Sequence, residues 1–537
     1  MLPVDTSLGV AGLVVGIPGL IQVCLELGSS VLKLIDDYRH SDVISEEIVL
    51  KIKIRWRNLE ELLKAVNATG SSFLFPLETE FRRVLSKLSE TLMQIREKAS
   101  KLGMLSPQAQ GATNIKISST SVVWSKRELE KLLAHYDHWE SEITHRLIVL
   151  TFSKPPSSSI LAEKMNFLLK RLPRIRWDAD VHEMSLNHED FEVNDVSNST
   201  VRYLRGKLEG ISNHIVEVLT YHYEFKEPVD SETFQAFKEG VYNTARMLKP
   251  ADPRLMSILP CIGIGPKRQE LQVHYHQGNL PPRRIRKVQY ELLYLIPRHL
   301  TKPRSLRDLL TDPAGRRNSD VLHPLDHRIR LANRLATALI YVHWGQFVHK
   351  HIKPENILIF DACDTKSFPL AIGDPFLVGF DRSRLEREKT TYKGDIVIED
   401  AIYQHPERWG ETAEQKSTML HDIYSLGVVL LEIGLWRPFV CWSGTSLCRV
   451  VVSTELQDLF EGTKLKEGLS PKVVKDRFIK IAEDYLPAKM GQKYTDIVLT
   501  CINGNVIDSF IPEDDLERRF GLGYIVNVIS KLEQLSV

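Results

Sequence analysis

The sequence predicts a multidomain chain, an all-α helical bundle at the N-terminus followed by a bilobed α+β domain. Three observations carry that reading. Residues 1–172 place apolar side chains at helical spacing throughout. From about residue 200, strand-like runs rich in β-branched and aromatic residues alternate with helical ones. A length of 537 residues also exceeds one ordinary core, so two or three domains are expected. The expected boundaries are a bundle at 1–172, a linker or brace at 173–199, and the bilobed domain at 200–537. Its small lobe covers about 200–305 and its large lobe about 306–537.

Composition narrows the classes. Hydrophobic residues make up 43% and charged residues 26%, with a net charge of +1, so nothing points to nucleic acid as a partner. The six cysteines, at 24, 261, 363, 441, 448 and 501, are scattered and form no CxxC pair. That spacing argues against a zinc site or a disulfide framework and suits a reducing cytosol. No metal site is expected.

The first element is the unusual one. "TSLGVAGLVVGIPGLIQVCL", residues 6–25, carries no charge and is bracketed by Asp5 and Glu26. Twenty residues is a bilayer-spanning length. The leader "MLPVDTS" holds an acid and no Lys or Arg, unlike a signal peptide. Four glycines and Pro18 weaken a helix here, and no basic cluster follows at once. Three readings stay open: a buried first helix of a bundle, a segment that leaves the bundle for a membrane on demand, and a constitutive anchor. Val10, Leu13, Val14, Val15, Ile17, Leu20 and Ile21 form its apolar set.

Further helices follow. "SEEIVLKIKIRWRNLEELLKAV" supplies one, ending near Asn67 and Gly70. Pro76 suits the first turn of the next. There Phe81, Leu85, Leu88, Leu92, Ile95, Ala99 and Leu102 make one apolar seam at alternating steps of four and three. Ser125 and Glu128 have capping-box spacing, ahead of a stripe of Leu129, Leu132, Tyr136, Trp139 and Ile143. "SKPPSSS", 153–159, reads as a loop or linker, and a short helix is expected at 160–171. Beyond it, strands are expected at 214–225, in "LMSILPCIGIG" and in "VQYELLYLIP". Helices are expected at 232–248, from "SLRDLL", at 328–344 and at 422–436.

The stretch "HKHIKPENILIF", 349–360, resembles the catalytic loop of protein kinases, H-R-D-L-K-P-E-N, with His349, His351, Lys353 and Asn356 at four of its places. "FLVGFDRSR" is similar to the D-F-G stretch, through Gly379, Phe380 and Asp381. Pro406 and Glu407 resemble the A-P-E segment, and Asp422 and Gly427 lie in what looks like the buried helix after it. The resemblance implies a protein-kinase-like fold. The chemistry is degenerate part by part. A kinase loop needs an aspartate to orient the hydroxyl, where His351 stands, and an aspartate to hold magnesium, where Gly379 stands. No lysine precedes Lys226 in the expected strand, Glu239 is out of register for its helix partner, and "RGKLEG" offers only Gly206 and Gly210. "GIGPK", 263–267, reads as a strand end rather than a phosphate cradle. His349, Pro406, Glu407 and Asp422 remain as scaffold positions. The resemblance therefore implies a pseudokinase with no intact catalytic residue and no expected cofactor, ATP and magnesium lacking their ligands.

"LGVAGLVVGIPGLIQVCLELGSSV" resembles the opening of fungal HeLo domains, the prion-inhibition and propagation helical domains. That likeness implies a bundle whose first segment is expelled into membranes in programmed cell death or heterokaryon incompatibility. The sequence ends "ISKLEQLSV" without an Asn/Gln/Gly-rich amyloid stretch, so a pseudokinase switch is the expected trigger. A protein partner or upstream sensor, self-association through the bundle, and a cytoplasmic location with conditional membrane association follow as expectations. Two alternatives stay open: a weak or atypical Ser/Thr kinase using Lys353, Asn356 and Asp381, and a signalling scaffold without membrane activity.

Overall fold

The computed structural model describes residues 16–37, 78–104, single helical positions from 53 to 67 and from 136 to 143, a few at 181–184, and most of 191–535. The chain divides into two compact units, Met1–Leu172 and Pro173–Val537.

In the first unit, helix α1 (Ile17–Asp37) packs against α2 (Glu78–Met104). Ile17, Ile21, Cys24, Leu27 and Val31 are buried at helical spacing and Leu20 is half-buried. The opposing seam is the expected one: Phe81, Leu85, Leu88, Leu92 and Ile95 are buried, joined by Val84. Cys24 Sγ donates to the Leu85 carbonyl at 3.5 Å, so the helices are close in their N-terminal halves. The charge-free run does not delimit the helix. Pro18 lies in the first turn of α1, where its missing N–H has no helical partner, so it starts the helix instead of weakening it. The helix then runs past Glu26 and Lys33.

Gly28 fixes a close approach. A Cβ there would stand 1.9 Å from Trp56 Cη2, and Trp56 is buried. Tyr136, Trp139 and Ile143 are helical, with Tyr136 and Ile143 buried. Val10, Leu13, Val14 and Val15 lie outside the described residues, as do Pro76, Ser125, Glu128, Leu129, Leu132, the 153–159 linker and the 160–171 helix.

The second unit begins with an antiparallel sheet. Its strands are β1 (Phe191–Asp195), β2 (Val201–Lys207), β3 (Ile215–Phe225), β4 (Cys261–Ile264), β5 (Arg268–His274) and β6 (Arg283–Leu295). The order is β1-β2-β3-β6-β4, with β5 also paired to β6. Helix α3 (Ser231–Leu248) packs on β3 and β4 and buries Val241, Ala245 and Leu248. The sheet thus begins before residue 200. β1 lies inside the expected linker, and the Met184 N–H donates to the Ile264 carbonyl at 2.8 Å. The run "LMSILPCIGIG" is only partly strand. A short helix ends at Ser257, whose φ of 50° turns the chain before β4.

From β6 the chain enters β7 (Leu300–Ser305), which pairs with β8 (Ile357–Ala362), itself paired with β9 (Asp374–Leu377). Ser305 caps α4 (Leu306–Thr311). Then come α5 (Leu325–Trp344), α6 (Met419–Leu435), α7 (Lys472–Met490) and α8 (Gln492–Asn503). α6 is buried without a break from Asp422 to Gly434. Its Gly427 admits α8, since a Cβ would come 2.8 Å from Cys501 Cβ.

Gly28→Ala puts a methyl into the Trp56 ring, and overpacking of this kind costs about 1–3 kcal/mol. Amide exchange in α1 and α2 peptides of the full chain is expected to speed up while second-unit peptides stay unchanged; equal rates in α1 would contradict the packing.

Candidate functional site

The loop 349–356 is held from below by Asp422, in the first turn of α6. Asp422 accepts the backbone N–H of His349 at 2.7 Å and of Lys350 at 2.8 Å, and its Oδ2 lies 2.9 Å from His343 Nε2. The His349 ring is buried, with Nε2 3.1 Å from the Val378 carbonyl and its face 4.7 Å from Phe380. Burial pushes His349 down to about 4, Asp422 opposing, so the ring is neutral at neutral pH.

His351 occupies the place of the missing aspartate, and both its nitrogens are engaged. Nδ1 lies 3.3 Å from Asp381 Oδ1 and Nε2 lies 3.2 Å from Asp400 Oδ1. A general base needs a lone pair aimed at the substrate hydroxyl, and this ring has none free. Lys353 Nζ donates to Asp400 Oδ1 at 2.7 Å, and Arg382 Nη2 to Asp400 Oδ2 at 2.7 Å. Asp400 comes from a short helix, Ile398–Ala401, and is itself buried. Burial disfavours its charge, but the His351 hydrogen bond and the Lys353 and Arg382 cations outweigh it, holding the carboxyl well below the usual range. His351, Lys353 and Arg382 are therefore locked onto one acid.

The metal side does not fit magnesium. Gly379 has φ +80°, and a Cβ there would fall 2.3 Å from Asn356 Cγ. Asn356 is buried, its Nδ2 donating to the His351 carbonyl at 2.8 Å and its Oδ1 without a hydrogen-bond partner. Asp381, the substitute considered from sequence, faces His351 and Arg382. One amide oxygen beside a glycine cannot supply the oxygen set a hard dication requires.

Among the described residues, the first sheet and its helix add nothing to replace it. Glu239 is exposed and forms no ion pair among the described residues. Lys226 and Gly210 lie outside them, and Gly206 is mid-strand in β2, opposite Phe191 and Val216. The Gly265 N–H donates to the Glu291 carbonyl at 2.6 Å, so "GIGPK" closes a strand end.

Pro406 opens a 3₁₀ turn. Glu407 is exposed, 3.7 Å from His405 Nδ1 and 3.8 Å from His421 Nε2, so it ties little to the lobe. This trio approaches like metal ligands. However, His421 Nδ1 accepts the Thr418 N–H at 2.8 Å, leaving the proton of the neutral ring on the nitrogen that faces Glu407.

The tie is made elsewhere. Arg307 of α4 is fully buried; Nε donates to Glu355 Oε1 and Nη1 to Glu432 Oε1, both at 3.0 Å, and Nη2 bonds the Tyr403 hydroxyl. Sequence motifs missed Arg307, Glu432 and Asp400. The signal for Glu432 was present: a lone charge in the apolar run "GVVLLEIGLW" demands a buried partner.

No family model matches the chain. Over 160 residues it is 25% identical to a non-functional pseudokinase of Arabidopsis thaliana, covering 29% of this chain and 41% of that protein. A receptor-like protein kinase described as inactive, from the same plant, is 35% identical over 108 residues, 20% of this chain and 16% of its own length. A leucine-rich repeat receptor-like serine/threonine-protein kinase of that plant is 26% identical over 200 residues, 36% of this chain and 20% of its own length. The chain spans less than half the length of each of these relatives. Together with the mixed helix and sheet architecture, they support a kinase-like domain, with inactive kinases among its relatives.

Restoring the acids is expected to fail. Gly379→Asp collides with Asn356 in a backbone conformation unfavourable to side chains, and His351→Asp sets a third carboxylate beside Asp381 and Asp400. The double variant should melt lower and show no magnesium-dependent shift; a magnesium-dependent rise in Tm would contradict this account.

Acid sensitivity follows from the same groups. His349 is held below its ordinary value of 6.5, so the unfolded chain takes up its proton first and stability falls from pH 6.5 toward about 4. Asp400 acts later, its contribution present above 3.8 and lost as pH falls below that. Denaturant midpoints of the full chain should drop across the first window; a flat profile there contradicts the burial of a neutral His349.

Proposed function

We propose that the kinase-like unit is a non-catalytic switch controlling an N-terminal helical effector of the HeLo type. One observation carries the non-catalytic part: His351, Lys353 and Arg382 all converge on Asp400, leaving no free base or phosphate-binding lysine in the loop. The degenerate metal side supports it, as do the inactive relatives. A weak kinase that uses Lys353 and Asp381 finds no support in this geometry, because both are turned inward to partners.

The effector part is supported by the charge-free run 6–25 and by the burial of Ile17 and Ile21 at the start of α1. Among the described residues no helix is long and apolar enough to cross a membrane. The proposed membrane step therefore belongs to a released state, in which the segment leaves α2 and partitions into lipid. Two states a few kcal/mol apart suffice for a ligand or partner to select between them. An upstream protein acting on the kinase-like unit is the proposed trigger, self-association of bundles the proposed output, and regulated cell death the proposed setting.

Both parts are testable. Phosphate transfer from ATP by the full chain is expected to stay at background; turnover in the ordinary kinase range of about 1–100 s⁻¹ would overturn the switch reading. The 1–172 unit is expected to release dye from anionic liposomes, and Val14→Glu or Leu20→Glu to abolish release. Absence of leakage from the unsubstituted unit would favour a scaffold.

A further inference from the structure

We propose that the β1–β2 turn, residues 196–199, is an internal plug that closes the cleft of the kinase-like unit against a nucleoside. In active kinases a glycine-rich loop in the small lobe covers the phosphates. Here the connection is Val196-Ser197-Asn198-Ser199, without glycine, and it reaches across to the other lobe. Ser197 Oγ and Asn198 Nδ2 both donate to Asp308 Oδ1, at 2.9 and 2.6 Å. Ser305 Oγ, at the end of β7, donates to the Ser197 carbonyl at 2.9 Å. Ser199 Oγ donates to the Glu355 carbonyl at 3.0 Å.

Asp308 and the Glu355 carbonyl are the acceptors with which this edge of the cleft would hold a hydroxyl-bearing ligand. The turn bonds Asp308 Oδ1 twice and the Glu355 carbonyl once, so a ligand would compete with it for both. Asn198 lies at φ 50°, a left-handed turn conformation that Asn adopts more readily than most residues. Val196 is buried beneath the turn, while Ser197 stays exposed. The plug also touches the lobe's buried network, because Glu355 takes Ser199 on its carbonyl and Arg307 on its carboxylate. Lifting the turn frees a cleft edge and one side of that network together.

The proposal rests on the non-catalytic reading of the cleft, and its test separates the two. Adenosine, without magnesium, is added to the full chain and to two variants, Ser197→Ala/Asn198→Gly/Ser199→Ala and Ser305→Ala, which removes the hydroxyl that holds the Ser197 carbonyl. The second loosens the turn from the opposite side, should the first fold poorly. Amide exchange over 191–207 is expected to quicken about tenfold in both variants, as a locally opened segment would. Adenosine should raise Tm in the variants alone. Wild type shifted as much as the variants would overturn the plug. So would unchanged exchange in both, or faster exchange with no gain of adenosine binding. A wild type that binds adenosine yet transfers no phosphate would sink the plug and leave the non-catalytic reading standing.

Discussion

The second unit depends on one buried guanidinium. Arg307 has no exposure, and its donors reach Glu355 in the loop, Glu432 in α6 and Tyr403 ahead of the Pro406 turn. Four elements distant in sequence thus meet at one charge. Removing a partner from such a group leaves a buried charge unpaired and costs about 3–5 kcal/mol. Glu432 extends the junction by accepting the Phe439 N–H at 2.7 Å, which fixes where the chain goes after α6. The loop 349–356 keeps its shape for this reason and through Asp422, neither of which has any part in phosphate chemistry.

Scaffold and chemistry therefore separate cleanly. His349 and Asp422 persist because burial and backbone hydrogen bonds define them. The reactive positions have been refilled, not merely emptied. The histidine at 351 sits between two carboxylates, with Asp381 beside one ring nitrogen and Asp400 beside the other. A glycine at 379 lets Asn356 move into the space a side chain would need. Each replacement makes sense only beside its neighbour, so reversing one residue leaves a clash or a surplus charge.

Much of this was legible in the sequence. The α2 seam could be read because helical period and burial coincide from Phe81 to Ile95. The order of the kinase-like motifs located the loop, the Gly379 turn and α6. β1 escaped notice for a physical reason: "FEVND" is an edge strand with only Phe191 buried, so it shows no alternation. Asp400 escaped because its meaning lies in three partners contributed by remote or unexpected places, His351, Lys353 and Arg382. Pro18 misled through composition, since a helix-breaking residue is harmless at a helix start.

The two sides of the cleft differ in how they could yield. The Arg307 and Asp400 networks are buried, and opening either exposes charges that have lost their partners. The contacts of the 196–199 turn are neutral donors at a partly exposed carboxylate and a carbonyl, which water can replace. Local opening follows the least protected contacts first. A change of state in this unit is therefore better carried by the hairpin lifting off α4 than by any rearrangement within 349–356. That loop is a fixed crossbar: its groups are held by buried partners, and it would give a lifting hairpin a rigid surface to leave.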